Sequence, residues 1–197
     1  MFFENHDFPW TQTLQDNWET VRDEFQALPK DDYTPWPGTD LYQGKWNTFP
    51  FFVPGQRYQQ NCNSCPETVK MVEAVIPNIT MASLSYLEPG AHIAPHEGFS
   101  HAVLRTHLAL IVPEGETWLR VGGEQRGWEP GGCFIFDDMY THEAYNGTEH
   151  PRVVLMCDFL RPFKQRTSIL GHIRQRLSIK KKMRSQWQRV EDARSDK

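Results

Sequence analysis

The first third of the chain carries two apolar patterns with helical spacing. Five apolar residues of TQTLQDNWETVRDEFQALP (residues 11–29) recur at alternating steps of four and three: Leu14, Trp18, Val21, Phe25 and Leu28. This spacing predicts one helix, with Thr11 or Thr13 as its N-cap. A second helix is predicted in CPETVKMVEAVIP (residues 65–77), where Pro66 suits the first turn. The Pro- and aromatic-rich stretch 29–50 predicts irregular chain with short strands.

From residue 79 the apolar period changes to two. Five short runs rich in β-formers are separated by Gly/Pro turns: TMASLSYL, VLRTHLALIV, TWLRV, CFIF and RVVLMCDFL. Many short strands preceded by two helices predict a mainly β fold, a double-stranded β-helix of the jelly-roll or cupin-like kind. We expect residues 1–162 to form this domain, helices included, and residues 163–197 to form a basic helical tail.

Charge divides the chain in the same place. The net charge is −4, but residues 1–158 hold 9 Lys/Arg against 22 Asp/Glu, whereas residues 159–190 hold 10 Lys/Arg and no acid. The tail either packs on the barrel with a solvated end or docks onto anionic lipid. An acidic body and a tail without a reading motif argue against nucleic-acid binding. No signal peptide and no long apolar run are recognisable, so a cytoplasmic protein is expected.

Four cysteines admit a metal or redox interpretation. Cys62 and Cys65 form a CxxC, but a zinc ribbon needs a second ligand pair at similar spacing, and the sequence has none. A local disulfide or no disulfide is therefore favoured over zinc. Cys133 and Cys157 lie in apolar runs and are predicted to be core thiols.

Two histidines stand out by position. His96 lies in the turn-rich segment PGAHIAPHEG, and His142 follows the CFIF run within FDDMYTHEAYN. We expect their separation to place them on two strands of one barrel. Imidazole binds Fe, Zn, Cu or Ni, so the pair alone does not select a metal.

The intervening strand adds polar groups that point to an anion. Arg105 and His107 are two residues apart and share a face, opposite the face that carries Leu104, Leu108 and Leu110. A buried arginine without an anionic partner is costly. Arg152, at the start of RVVLMCDFL, can point into the barrel as well. Inward arginines and histidines together describe a site for a metal bound to a dicarboxylate.

These segments resemble a known family. The ordered set NCNSCPET, LSYLEPGAHIAPHEG, LRTHLALIVPEG, GGCFIFDDMYTHEAYN and HPRVVLMCDFLRP is similar to the aspartyl/asparaginyl β-hydroxylases, iron(II)/2-oxoglutarate oxygenases that include lipid A hydroxylase-like members. The resemblance implies that His96 and His142 bind iron(II) and that Arg152 pairs with the distal carboxylate of 2-oxoglutarate. It also implies that Ser85, Arg105 and His107 line the pocket, and that O2 is the oxidant.

The resemblance also implies an unusual iron site. In most such oxygenases a carboxylate follows the first histidine by two residues, but here that position is Gly98. A water is expected to take the third place, with Asp137 and Asp138 as candidates to bind that water or His142.

Three functions remain open at this point. The first is hydroxylation of an aspartyl/asparaginyl residue or related amino acid. The second is hydroxylation of an acyl chain, which the basic tail favours because it would hold an acidic protein on an anionic membrane. The third is a metal-binding jelly-roll protein without turnover. Small-molecule, peptide and lipid substrates, and the oligomeric state, are left open.

Overall fold

The computed structural model describes residues 1–29 and 32–162, which form a mainly β fold. The strands, in chain order, are β1 Phe2–Phe3, β2 Thr34–Pro35, β3 Tyr42–Gln43, β4 Trp46–Val53, β5 Gln56–Arg57, β6 Ile79–Leu87, β7 His92–His96, β8 Val103–Ile111, β9 Thr117–Val121, β10 Glu124–Arg126, β11 Cys133–Phe136, β12 His142–Asn146 and β13 Arg152–Leu160. The helices are α1 Thr11–Asp16, α2 Trp18–Gln26, α3 Gln59–Ser64 and α4 Pro66–Val75. The basic tail 163–197 lies outside the described residues.

Two antiparallel sheets make the barrel. The larger sheet has eight strands in the order β1-β11-β8-β13-β6-β4-β2, with β5 paired to β4. The smaller has five strands in the order β10-β9-β12-β7-β3. Strands far apart in sequence are neighbours, as β8 and β13 are, and this is the arrangement of a jelly roll. The predicted fold class is confirmed.

The larger sheet has two different faces because side chains alternate along each strand. Leu104, Leu108 and Leu110 of β8 belong to a core cluster that also contains Val21 of α2 and Val72 of α4. The opposite face belongs to a second cluster between the sheets, which includes Ala109, Val154, Met156, Leu119 and Val121. The helices therefore cover one face, and the other encloses the interior of the barrel, where Arg105 and His107 lie.

The helical predictions are right in type and wrong in detail. The single helix predicted over residues 11–29 is two helices, broken at Asn17, whose backbone has φ −114° and ψ 13°. The N-cap prediction is wrong, because α1 already includes Thr11, whose hydroxyl donates to the Phe8 carbonyl at 2.9 Å. Helix α4 begins at Pro66 as predicted.

Two strands are more extensive than the sequence indicated. Strand β4 begins in the stretch 29–50, for which irregular chain with short strands was predicted, but it is eight residues long, and its register shifts between Pro50 and Phe52 because proline cannot donate to the ladder. Strand β7 carries His96 at its end, within the segment predicted to be a turn-rich loop. Among the described residues, no helix has both the length and the hydropathy needed to span a membrane.

Candidate active site

The two candidate ligands lie side by side on neighbouring strands. His96 ends β7 and His142 begins β12, and the two residues are register partners in the smaller sheet. Their ring centroids are 4.1 Å apart. Nδ1 of His96 lies 2.8 Å from the Ala94 carbonyl oxygen, and Nδ1 of His142 lies 3.1 Å from that of Tyr140. A carbonyl can only accept, so Nδ1 carries the proton and each Nε2 keeps a lone pair.

Burial keeps both imidazoles neutral. It lowers the pKa of His142 to about 3, and the neighbouring His96 and the Arg105 guanidinium add to this shift. Burial also lowers the pKa of His96, and the positive charge of Arg105 lowers it further. A neutral imidazole with a free Nε2 is the form that binds a transition metal. Both histidines therefore have the protonation state that metal coordination requires.

The histidines open onto a cavity between the two sheets, and the space outside the atoms there, including open solvent at its mouth, is about 360 Å³. Its lining contains every site residue expected from the sequence, namely Ser85, His96, Arg105, His107, His142 and Arg152. The rest of the wall is mainly apolar and includes Ile93, Leu119, Phe136, Ala144 and Met156. Such a wall excludes water and strengthens the electrostatic contacts inside.

Arg152 and His107 are buried polar groups without partners. Nε and Nη1 of Arg152, and both ring nitrogens of His107, have no hydrogen-bond partner in the described part of the chain. Arg152 is 1% exposed, and burial lowers its pKa to about 9. Burial, with Arg152 and Arg105 nearby, holds the pKa of His107 well below its usual value. Buried groups of this kind are normally satisfied, so both are available as hydrogen-bonding groups for an anion.

Arg105 has a partner within the protein. Its Nε and Nη2 donate to the two carboxylate oxygens of Asp158 on β13, at 2.7 and 2.9 Å. The sequence interpretation that an exogenous anion balances Arg105 is therefore incomplete, because Asp158 already does so. The two hydrogen bonds to Asp158 hold the Arg105 guanidinium beside His96 and His142, where its charge lowers the pKa of each histidine.

Of the two candidate acids, Asp138 lies at the site. Asp137 binds Arg161 and the backbone N–H of Met139. The carboxylate of Asp138 is 2% exposed, its Oδ2 is 3.5 Å from Nη2 of Arg105, and its Oδ1 has no hydrogen-bond partner within the described residues. Burial raises the pKa of Asp138 to about 7, although Arg105 opposes the shift.

Asp138 also occupies the space that a side chain at position 98 would need. A Cβ built on Gly98 would lie 2.3 Å from Cγ of Asp138 and 2.4 Å from both carboxylate oxygens. The Gly98 N–H donates to the Asp138 carbonyl at 2.7 Å, which holds the two segments together. The Asp138 carboxylate thus fills the space beside Gly98, the position at which most related oxygenases carry a carboxylate side chain.

These observations test whether iron(II) and a dicarboxylate fit the cavity. The Nε2 lone pairs of His96 and His142 can serve as two metal ligands. Arg152 and the neutral His107, which have nitrogens without a partner among the described residues, can donate hydrogen bonds to a carboxylate. Within residues 1–29 and 32–162, no group of three or more His, Cys, Asp or Glu side chains is placed to share a metal. The residues present therefore fit a two-histidine centre completed by small ligands.

Sequence reasoning missed three residues that shape the cavity. Trp46 donates its indole N–H to the Ser85 hydroxyl at 2.9 Å. Trp128 lies under the Arg152 guanidinium, with 4.5 Å from Cζ to the ring centroid. Phe136 contacts the rings of both His107 and His142. Only the aromatic character of these positions was visible in the sequence, and aromatic residues are common in any core.

The cysteines play no part in this site. All four are buried and free. The Sγ of Cys62 donates to the Phe51 carbonyl at 3.3 Å, and burial raises the pKa of Cys65 to about 12. The predictions for Cys133 and Cys157 as core thiols are confirmed, and the CxxC is part of the core between α3 and α4.

Known proteins resemble this chain in sequence. An ornithine lipid ester-linked acyl 2-hydroxylase of Rhizobium tropici is 38% identical over 167 residues, which is 80% of this chain and 59% of that protein. A Homo sapiens aspartyl/asparaginyl beta-hydroxylase is 30% identical over 159 residues, 77% of this chain and 21% of that protein. The chain thus spans between about a fifth and three fifths of the length of these relatives.

One solved structure supports the fold, and the family match supports the identity. A Pseudomonas putida prolyl-4-hydroxylase superposes with a TM-score of 0.50 at 16% identity, over 75% of this chain and 88% of that one. At this identity it shows the fold alone. Residues 15–162 match the family described as aspartyl/asparaginyl beta-hydroxylase. With this match over most of its length and its paired histidines inside a jelly roll, the chain belongs to the aspartyl/asparaginyl β-hydroxylase family.

Proposed function

We propose that this protein is an iron(II)- and 2-oxoglutarate-dependent dioxygenase that hydroxylates its substrate with O2. One observation carries the proposal: two neutral histidines with free Nε2 atoms share a cavity with a buried, unpartnered arginine. A metal alone explains the histidines and an anion alone explains the arginine. A metal chelated by a dicarboxylate explains both.

When bound, iron(II) together with 2-oxoglutarate and O2 supplies the oxidising chemistry that hydroxylates a C–H bond and yields succinate and CO2. His96 and His142 would hold the metal through Nε2, with their rings oriented by the Ala94 and Tyr140 carbonyls. Arg152 would bind the distal carboxylate through Nε and Nη1, the two nitrogens that lack partners. His107 stays neutral when buried, so it can donate a hydrogen bond to the same anion from one nitrogen.

The remaining polar residues position these groups. Trp46 fixes the Ser85 hydroxyl at the cavity wall, where that hydroxyl can donate to a carboxylate. Asp158 holds Arg105 beside the histidines. Asp138, in the space of the missing residue-98 side chain, would accept a hydrogen bond from a metal-bound water through Oδ1, which has no partner among the described residues.

The test of this chemistry uses protein purified without oxygen. We expect stoichiometric iron and 2-oxoglutarate-dependent succinate formation, and we expect His96→Ala and His142→Ala each to abolish iron binding. His6→Ala is the control, because the His6 side chain is 80% exposed. Full activity in either ligand variant, or tightly held zinc without turnover, would contradict the proposal and favour a binding protein.

A second experiment tests the anion site separately. Arg152→Ala should raise the 2-oxoglutarate concentration needed for half-maximal turnover by ~30-fold or more, because it removes a charge-assisted pair from a buried site. The control is Arg57→Ala, which removes a surface arginine that pairs with Glu73. An unchanged 2-oxoglutarate requirement in Arg152→Ala would remove Arg152 from the site.

Two substrate classes remain in the proposal. The family name and the human relative favour an aspartyl or asparaginyl residue or a related amino acid. The 38% identity to an ornithine lipid ester-linked acyl 2-hydroxylase favours the acyl chain of an aminoacyl lipid. Incubation with Asp/Asn peptides, free amino acids and ornithine lipids, scored by the mass of one added oxygen atom, separates the two.

The lipid alternative gives the basic tail a role. Residues 159–190 carry 10 Lys/Arg and no acid, and they would hold the acidic body at an anionic bilayer. Sedimentation with phosphatidylglycerol vesicles, compared with neutral phosphatidylcholine vesicles, tests this peripheral contact. Equal binding to both vesicles, or to neither, would exclude an electrostatic membrane partner.

A further inference from the structure

Trp128 sits behind the arginine that closes the cavity. It lies in the loop between β10 and β11, and this loop is held to β8 by two hydrogen bonds: Gly131 N–H to the Ala109 carbonyl and Ala109 N–H to the Gly132 carbonyl, both 2.9 Å. Trp128 is 6% exposed and belongs to the cluster between the sheets. The loop is therefore tied to the strand that carries Arg105 and His107.

The indole contacts both unpartnered groups of the carboxylate pocket. Cζ of Arg152 lies 4.5 Å from its ring centroid, and the His107 ring is nearly parallel to it, at 6.3 Å and 20°. Among the described residues, no carboxylate forms an ion pair with Arg152. The ring face of Trp128 is thus the attractive contact that offsets the burial of this cation.

The position of Trp128 also limits how far Arg152 can withdraw. Arg152 lines the cavity, whereas Trp128 does not, so the guanidinium lies between the indole and the cavity. A flat ring pressed against one face of the guanidinium leaves the N–H groups on its edge for an anion. Without a flat ring at this position, Arg152 would settle deeper and the space between it and the histidines would lengthen.

We propose that Trp128 is a positioning residue that sets the depth of Arg152 and thereby selects the chain length of the 2-oxo diacid. The inference rests on the proposed function, since it assumes that a 2-oxo diacid binds between the histidines and Arg152. On this proposal, Trp128 is the residue that makes the pocket prefer the five-carbon acid 2-oxoglutarate over the six-carbon acid 2-oxoadipate. The indole N–H, which has no partner among the described residues, takes no part in holding the ring in place.

The test is a binding measurement that needs no turnover. Wild type and variants, loaded with Mn²⁺ without oxygen, are titrated with 2-oxoglutarate and with 2-oxoadipate, and Kd is taken from calorimetry. Trp128→Leu should weaken 2-oxoglutarate binding by about tenfold, because the stacked cation–π contact is lost. It should also lower the ratio of the Kd for 2-oxoadipate to the Kd for 2-oxoglutarate by about tenfold or more, because the cavity lengthens and accepts the longer acid.

Two further variants and one control keep the result specific. Trp128→Met fills much of the same volume without a ring and should behave like Trp128→Leu, whereas Trp128→Phe keeps a ring face and should stay within about threefold of wild type. The matched control is Trp118→Leu, which removes a similar stack, Arg120 at 4.7 Å, from the outer face of β9. It should leave both Kd values unchanged.

The outcomes separate this inference from the proposed function. If wild type binds neither acid, the proposed function fails. If wild type binds 2-oxoglutarate and both Trp128→Leu and Trp128→Met keep the wild-type ratio of Kd values, the role of Trp128 is wrong. The same holds if Trp128→Phe loses as much selectivity as Trp128→Leu. General destabilisation would weaken both acids alike and leave their ratio unchanged.

Discussion

The close approach of Gly98 and Asp138 makes a quantitative prediction. An alanine Cβ at position 98 would lie 2.3–2.4 Å from three atoms of the Asp138 carboxylate, a separation that non-bonded carbon and oxygen atoms do not reach. The backbone has little freedom to retreat, because Gly98 N–H and the Asp138 carbonyl are bonded at 2.7 Å. In Gly98→Ala the carboxylate must therefore move, and its contact with Arg105 is lost.

The expected cost follows from overpacking. Forcing a methyl group into a filled interior destabilises a protein by about 1–3 kcal/mol, and we expect Gly98→Ala to fall in this range. In an Asp138→Ala background the obstructing atoms are absent, so the same change should cost less than ~0.5 kcal/mol. The coupling energy of the double-mutant cycle should then be about 0.5–3 kcal/mol, as for residues in direct contact.

Urea unfolding of the metal-free chain, with a chelator present, measures all four members of the cycle. Gly127→Ala is the control, since the nearest atom to its added Cβ is 3.6 Å away and the change should be nearly neutral. If Gly98→Ala lowered the free energy of unfolding equally in the wild-type and Asp138→Ala chains, the inferred clash with the Asp138 carboxylate would be refuted. Gly98→Asp combined with Asp138→Gly returns the carboxylate to position 98, and it should restore metal binding that Asp138→Gly alone weakens.

Three further predictions concern buried charge. Asp158→Ala leaves Arg105 without its two-pronged partner and should cost about 3–5 kcal/mol in urea unfolding, so a loss below ~1 kcal/mol would contradict the buried pair. Burial raises the pKa of Cys65 to about 12 and that of Cys133 to about 11, so neither should react with a thiol reagent at pH 8 unless denaturant is added, and prompt native labelling would contradict their burial. The pKa of His142 falls to about 3 in the fold, whereas an unfolded histidine titrates near 6.5, so the unfolded state gains protons first on acidification. The contribution of His142 alone should therefore lower the free energy of unfolding of the metal-free protein by roughly 1.5 kcal/mol between pH 6.5 and pH 5. His142→Gln should remove that part of the slope, and an identical slope in the variant would show that His142 titrates normally.

Local patterns in the sequence were sufficient for most of the fold. Alternation along VLRTHLALIV correctly placed the leucines on one face of β8 and Arg105 with His107 on the other, because side-chain direction in a strand depends only on position. Where the signal was mixed, the prediction was incomplete. Strand β4 contains Pro50, and the helix predicted as one unit is broken at Asn17, because tertiary packing overrode weak local preferences.

The candidate site was predicted by another route. His96, His142 and Arg152 were singled out by their positions in the sequence, their roles came from a resemblance carried by ordered motifs, and the structure brings all three to one cavity. The resemblance gave the residues but not their surroundings. It did not indicate that Asp158 on β13 is the anion that pairs with Arg105.

By itself, then, the sequence determined the alternation of faces, the acidic body with its basic tail, and the residue types of the candidate site. Only the tertiary structure decided which distant groups meet. Asp138 fills the space beside Gly98, 40 positions away in the chain, and Trp128 lies under Arg152. These contacts depend on strand register and loop placement, which are fixed by the closure of two sheets around a common core, and no local pattern encodes them.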